Sequence, residues 1–283
     1  MLFRLVFLSI LLIAYFTKSS YSKTYSSQQY QVLSYNLLLN GIIGGVGGAI
    51  NKKPNEKTWT AFRKNFLYGC LGGSIKYFAK YDIYDLRGES NGFWAKPNRL
   101  NYYIGHSIVH NASLNRKIWS SFNCSLYGLN IELFFKDSFY VKKRISTLTL
   151  YNLVYTISIG NKFNIDKSIK YGIFYFDMNP KISDAGYGDH NVISISSRSV
   201  TSVLPHEILH TYQHPDYILI NNCFNHSFKR VRESKLHEIF RKYFYLDIAY
   251  MSMLYQVQPK PTHYKNFYEF EAQHFATRSL VNR

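Results

Sequence analysis

Leu204-Pro205-His206-Glu207-Ile208-Leu209-His210-Thr211-Tyr212-Gln213-His214 carries the order H-E-x-x-H at His206, Glu207 and His210. Residues four apart on a helix share one face, so the two imidazoles can bind a single metal ion. Glu207 then stands beside the ion, placed to take a proton from metal-bound water. Pro205 suits a first helical turn, where a missing N–H costs nothing. Ile208 and Leu209 supply apolar packing. Upstream, Asn191-Val192-Ile193-Ser194-Ile195-Ser196 alternates like a β-strand. Imidazole and carboxylate ligands favour Zn²⁺.

The 283-residue chain is long enough for a sizeable core, and 46% hydrophobic against 18% charged residues excludes a disordered chain. The formal charge of +17 raises nucleic acid or an anionic membrane as a partner. Lys and Arg are scattered among Asn, Ile and Tyr, with short clusters such as Lys142-Lys143-Arg144, and no nucleic-acid motif occurs; no nucleic-acid partner is expected. Cys70, Cys124 and Cys223 form no C-x-x-C, which allows one disulfide at most and fits buried small hydrophobes better.

Residues 1–22 read as a signal peptide or an uncleaved N-terminal anchor: Arg4 gives the positive start, Leu5 to Phe16 the apolar core, and Ser19-Ser20-Tyr21-Ser22 a small-residue exit. Residues 23–122 read as a Gly-rich, mostly helical region. Val32 to Ile50 is uncharged, carries Gly41, Gly44, Gly45, Gly47 and Gly48, and is long enough to cross a bilayer. Phe66 to Ala79 carries Gly69, Gly72 and Gly73. Two such stretches joined by a polar turn at Asn51-Lys52-Lys53-Pro54 suggest a helical hairpin. Residues 32–79 either associate with a membrane or pack on themselves. His106 and His110 are four apart but lack an intervening Glu, and read as ordinary core or surface histidines.

Residues 123–283 read as the catalytic domain. Leu129–Phe135, Phe139–Val141, Thr147–Ile159 and Ile169–Phe176 are β-branched and aromatic, separated by turn residues, and predict an antiparallel meander leading to the 191–196 strand. Ser183 to His190 reads as a plain turn rather than a metal loop. Val231 to Tyr255 has helical apolar spacing at Leu236, Ile239, Phe240, Tyr243 and Phe244, and a last helix is expected near Tyr268 to Leu280.

A two-histidine site needs a third protein ligand that leaves one position open. In Tyr268-Glu269-Phe270-Glu271-Ala272-Gln273-His274-Phe275-Ala276, Glu269, Ala272 and Ala276 are spaced to share a face. Glu271 lies about 200° round the helix from Glu269, toward solvent or a neighbouring basic group, so both cannot face one ion. Glu269 is preferred as ligand, with Glu271 and then His274 as alternatives.

Across residues 204–214 and 267–278 the chain resembles the gluzincin class of metallopeptidases, whose second motif often reads E-[FY]-x-A-D or E-x-E-A-[DN]-x-F-A. Glu269 matches the ligand Glu of that motif and Ala272 its small residue. Gln273 stands where many members carry an Asp or Asn that orients a ligand histidine, a departure that still offers an acceptor for an imidazole N–H. The resemblance implies an α+β, zincin-like catalytic domain, with β-meander, edge strand and active-site helices, preceded by the Gly-rich hairpin. It also implies that the edge strand above the active-site helix holds a peptide or protein substrate.

The function expected is that of an exported hydrolase, periplasmic, in the cell envelope or secreted. It is a zinc metalloprotease with His206, His210 and Glu269 on the metal and Glu207 as base, and with Tyr212, His214, His263 and Tyr264 as candidate oxyanion donors. The alternatives are a catalytically weak zinc-binding envelope protein and a membrane-associated scaffold centred on the hairpin.

Overall fold

A computed structural model describes residues 27–81, 83, 95–135, 139–183, 185–198, 200–224, 242–245 and 267–277. The signal read at residues 1–22 lies outside them. Two long helices, α1 (Ser27–Ile50) and α2 (Thr58–Lys80), form the expected hairpin, and α3 (Ala95–Ser113) packs on both. None of the three has an acidic residue in its first turn, and packing rather than capping holds them. Glycine sets that packing. A Cβ added at Gly44 of α1 would stand 2.5 Å from the Asn65 carbonyl of α2, and one at Gly72 of α2 would stand 2.6 Å from the Gly105 carbonyl of α3. Among the described residues α1 is the one helix long and apolar enough to cross a membrane. Its inner side enters the core through Val32 and Ile43, while Leu38, Ile42, Val46 and Ile50 stay exposed at four-residue intervals.

The chain is α+β, with two small mixed sheets. In the first, β1 (Ser121–Leu126), β2 (Leu129–Phe134) and β3 (Tyr140–Ser146) form an antiparallel meander, and β8 (Phe244–Tyr245) joins β3 in parallel. The second has the order β4 (Lys162–Phe163), β5 (Phe174–Asp177), β7 (Val192–Ile195), β6 (Gly186–Asp189), with β5 and β7 parallel.

Helix α6 (Val200–Ile218) carries the H-E-x-x-H motif and α7 (Phe267–Thr277) carries Glu269. One core joins Val32 of α1, Tyr77 of α2, Tyr102 of α3, Tyr175 and Ile193 of the second sheet, Leu204 and Leu209 of α6 and Phe275 of α7.

The structure corrects five expectations. Thr147 to Ile159 is not a strand of a longer meander but helix α4 (Thr147–Ser158). The Ser146 side chain caps its start by accepting from the Thr149 N–H, and Thr149, Asn152 and Thr156 are buried at helical spacing. The polar face is therefore the inner one, and Tyr151, Val154 and Ile157 are exposed. A reading based on β-branched and aromatic residues misses a helix that turns its apolar side outward.

Ile169 likewise belongs to a short helix, α5 (Ile165–Tyr171), capped by Asn164 and closed by Gly172 at φ 69°. The segment 183–190 is not a plain turn, because Gly186–Asp189 forms β6, the outermost strand, and β7 lies inside it. Of the expected 231–255 helix only residues 242–245 are described, and Phe244–Tyr245 is the strand β8. Pro205 sits beyond the first turn, since α6 already begins at Val200.

An exposed helical Gly changed to Ala gains up to about 1 kcal/mol from propensity. Gly72→Ala has the opposite sign, because its methyl group meets the backbone of α3, and it costs about 1–3 kcal/mol in urea denaturation. A stabilised Gly72→Ala protein would show that α2 and α3 do not touch there.

Candidate metal centre

The four-residue spacing on α6 brings His206 and His210 together with their rings crossing at 89°, and α7 lays Glu269 over them. His206 Nε2 stands 3.1 Å from His210 Nε2 and 3.0 Å from Glu269 Oε2, and His210 Nε2 stands 3.7 Å from the same oxygen. Ligand atoms about 2.0–2.1 Å from a tetrahedral Zn²⁺ lie about 3.3 Å apart, so the spread of this triangle suits that ion. His206, His210 and Glu269 are the one such group among the described residues, all with ligating atoms within 4.8 Å of one another. His206 is the most exposed of the three, which puts the open side of the site there.

Glu269 is held well below the usual carboxylate range. Burial pushes its pKa up, but the two imidazoles of His206 and His210 beside it outweigh that, so it is ionised and able to ligate. His210 moves the other way: burial lowers its pKa, and Glu269 with Glu207 raises it.

The tautomer of His210 follows from its neighbours. Gln213 Nε2 lies 2.8 Å from the Tyr268 carbonyl and 2.8 Å from Glu271 Oε2, both acceptors, which fixes that end of the amide as NH₂. Gln213 Oε1, 2.8 Å from His210 Nδ1, is then an acceptor and requires Nδ1–H. The Nε2 lone pair of neutral His210 is left facing His206 and Glu269, as ligation needs. Tyr268 stacks on the His210 ring with centroids 4.3 Å apart and fixes its plane.

Glu207, the expected base, is buried on the side toward β6. A Cβ at Gly186 would stand 3.3 Å from Glu207 Cγ, and one at Gly188 would stand 2.5 Å from the Glu207 carbonyl, so β6 crosses directly over the motif. The Ser196 N–H donates to the Ala185 carbonyl, and by strand alternation Tyr187 and Asp189 also face β7. The backbone groups of Gly186 and Gly188 consequently turn to the outer edge, beside Glu207.

Behind the site lies a buried ionic cluster. Glu271, rather than facing solvent, accepts from Asn36 Nδ2 at 2.7 Å and Lys80 Nζ at 3.0 Å, and Lys80 also reaches Asp216 at 3.0 Å. Asp216 pairs in addition with Lys76 and accepts from the Tyr102 hydroxyl at 2.6 Å. Lys80, held between two carboxylates, has its pKa pushed up to about 12 despite burial, while burial wins at Lys76, which has one carboxylate partner, and lowers it. Asp216 is brought down to about 2: burial opposes the shift, and the two lysines outweigh it.

Of the candidate oxyanion donors, Tyr212 points into the core, with Arg99 over its ring, and His214 is buried against His190. His263 and Tyr264 lie outside the described residues. His110 contacts Glu132 and Asn222, so it belongs to the core and not to a second metal pair. Gln213, rather than the expected Gln273, contacts a motif histidine, His210. Its signal in the sequence is its place three residues after His210 on the same helix. Nothing local marks Lys80 or Asp216.

The chain matches no protein-family model, no curated protein and no solved structure.

A depressed carboxylate pKa stabilises the fold above its unfolded value and loses that contribution as pH falls through the folded one. Stability should hold above about pH 4 and decline toward about pH 2 as Asp216 titrates. Asp216→Asn should be less stable at neutral pH and show a flatter acid limb in urea unfolding. An unchanged limb would mean that Asp216 is not held as an ion.

Proposed function

We propose that the chain is an exported zinc-dependent metallopeptidase of zincin-like architecture. The observation that carries this reading is the convergence of His206, His210 and Glu269 with Glu207 alongside. These three residues would hold Zn²⁺, with Gln213 fixing the ligating nitrogen of His210. The ion would supply Lewis acidity for the scissile carbonyl and for the attacking water.

The remaining steps belong to the protein. An extended peptide pairs with the outer edge of β6, where Gly186 and Gly188 offer N–H and C=O groups next to Glu207. Glu207 takes a proton from the attacking water as the C–O bond forms. It returns that proton to the amine as the C–N bond breaks. Ile208 and Leu209, buried in the core, anchor α6 and so hold the motif residues in place.

Export is supported by the apolar run from Leu5 to Phe16 behind Arg4. Contact with a membrane through residues 32–79 is supported by the exposed apolar stripe of α1. The competing reading, a zinc site kept only for structure in an envelope scaffold, does not need a general base at position 207.

Three measurements test the reading. Glu207→Gln should keep zinc by elemental analysis yet lose cleavage of a fluorogenic peptide library by at least about 100-fold. Equal activity would overturn the mechanism while leaving the metal site standing. Glu269→Ala should lose zinc affinity more steeply than the 10- to 100-fold or so typical of residues that only support a ligand. A reporter fused after Arg283 should act outside the cytoplasm, and cytoplasmic activity would overturn the localisation.

A further inference from the structure

The strongest chain of contacts outside the ligands runs from His210 into the glycine-rich hairpin. His210 Nδ1 meets Gln213 Oε1 at 2.8 Å, and Gln213 Nε2 meets Glu271 Oε2 at 2.8 Å. Glu271 Oε1 is gripped by Asn36 of α1 at 2.7 Å and by Lys80 of α2 at 3.0 Å. Gln213 and Lys80 are 0% exposed and Glu271 is 2% exposed, so no solvent competes for these groups.

Each link fixes the next. Lys80 and the Asn36 amide, which also donates to the Val32 carbonyl, present only donors to Glu271, so Glu271 must accept. Gln213 must then turn its NH₂ to Glu271, and its oxygen to His210.

We infer that Gln213, Glu271 and Lys80 are positioning residues for His210, and that through them the α1–α2 hairpin is part of the metal site rather than an accessory to it. The inference rests on His210 being a metal ligand. It deepens that reading by naming what sets the ligand's tautomer. Lys76 provides an internal contrast: it is equally buried and belongs to the same ionic cluster, but its carboxylate partner is Asp216 and it makes no hydrogen bond to Glu271.

The test uses the full-length chain and two readouts. The first is the ¹⁵N NMR tautomer of His210 in the metal-free protein at alkaline pH, which needs no zinc. The second is zinc affinity by competition with a chelator. The wild type should show Nδ1–H at His210. Gln213→Met, similar in length but unable to accept, should shift His210 toward Nε2–H and weaken zinc by about 10- to 100-fold. Glu271→Gln, which preserves volume, should shift both readouts in the same direction by less, and it carries the test if Gln213→Met does not fold.

Lys76→Met should lower thermal stability while leaving the tautomer and the zinc affinity as in the wild type. An unchanged tautomer in the folded Gln213 and Glu271 variants would overturn the inference, and so would an equal loss of zinc in Lys76→Met. A wild type that shows Nδ1–H but binds no zinc would overturn the metal-site reading, while the tautomer shifts still decide the positioning.

Discussion

Four ions held out of water govern the arrangement of this protein. Lys76, Lys80, Asp216 and Glu271 are all nearly or fully inaccessible, and they come from three helices far apart in the chain. Taking such charges out of water costs several kcal/mol each, so a buried group of ions is not a simple source of stability. The cost is offset only where every oxygen and every N–H has a partner, and here Asn36, Asn40, Tyr102 and Gln213 complete the set. Removing Lys80 strands Glu271 and removing Asp216 strands Lys76, each at a cost of about 3–5 kcal/mol. A cluster of this kind therefore acts as a registration device. The helices can slide or rotate against one another only by breaking it.

The glycines make that register reachable. Lys76 and Lys80 lie one turn apart on α2 and must extend past α1 toward α6 and α7 without meeting solvent. Close approach of α1 and α2 at Gly44, and of α2 and α3 at Gly72, removes the space that water would otherwise fill. The same sequence feature that reads as a membrane hairpin, a run of small residues without charge, also gives a soluble-looking inner face when two lysines at its end find carboxylates. Length and hydropathy cannot separate these outcomes. The exposed stripe of Leu38, Ile42, Val46 and Ile50 shows that α1 keeps an apolar side even after its packing is complete.

How much of this is legible in the sequence follows from the range of each interaction. His206, Glu207 and His210 are readable because a helix repeats every four residues, and Glu269 because a carboxylate and two alanines share one face. The hairpin and the strand at Val192–Ile195 are readable for the same local reason. Helix α4 is not, since its buried face is Thr149, Asn152 and Thr156, and composition alone assigns its apolar side to a core it does not enter. The edge strand β6 is hidden by its glycines, which resemble turn residues and are required because Glu207 lies against them. Lys80 and Asp216 meet across 136 residues, and no spacing rule reaches that far.

Helix α7 shows why the two glutamates in Glu269-Phe270-Glu271 are both buried although they point in nearly opposite directions. A helix lying between a histidine pair and a charged cluster needs one carboxylate on each side. Glu269 turns to His206 and His210, and Glu271 turns to Lys80 and Asn36. Two residues of rise separate them, and Gln213 of α6 spans the gap by bonding Glu271 and the Tyr268 carbonyl with one amide end while its oxygen takes His210. The opposite placement of the two glutamates is thus a division of labour, and neither residue is idle. Each carboxylate finds partners on its own side, imidazoles for Glu269 and N–H donors for Glu271. A shift of α7 by one residue would take both away from their partners together, so one helix register serves the His206–His210 pair and the Lys80–Asn36 pair at once.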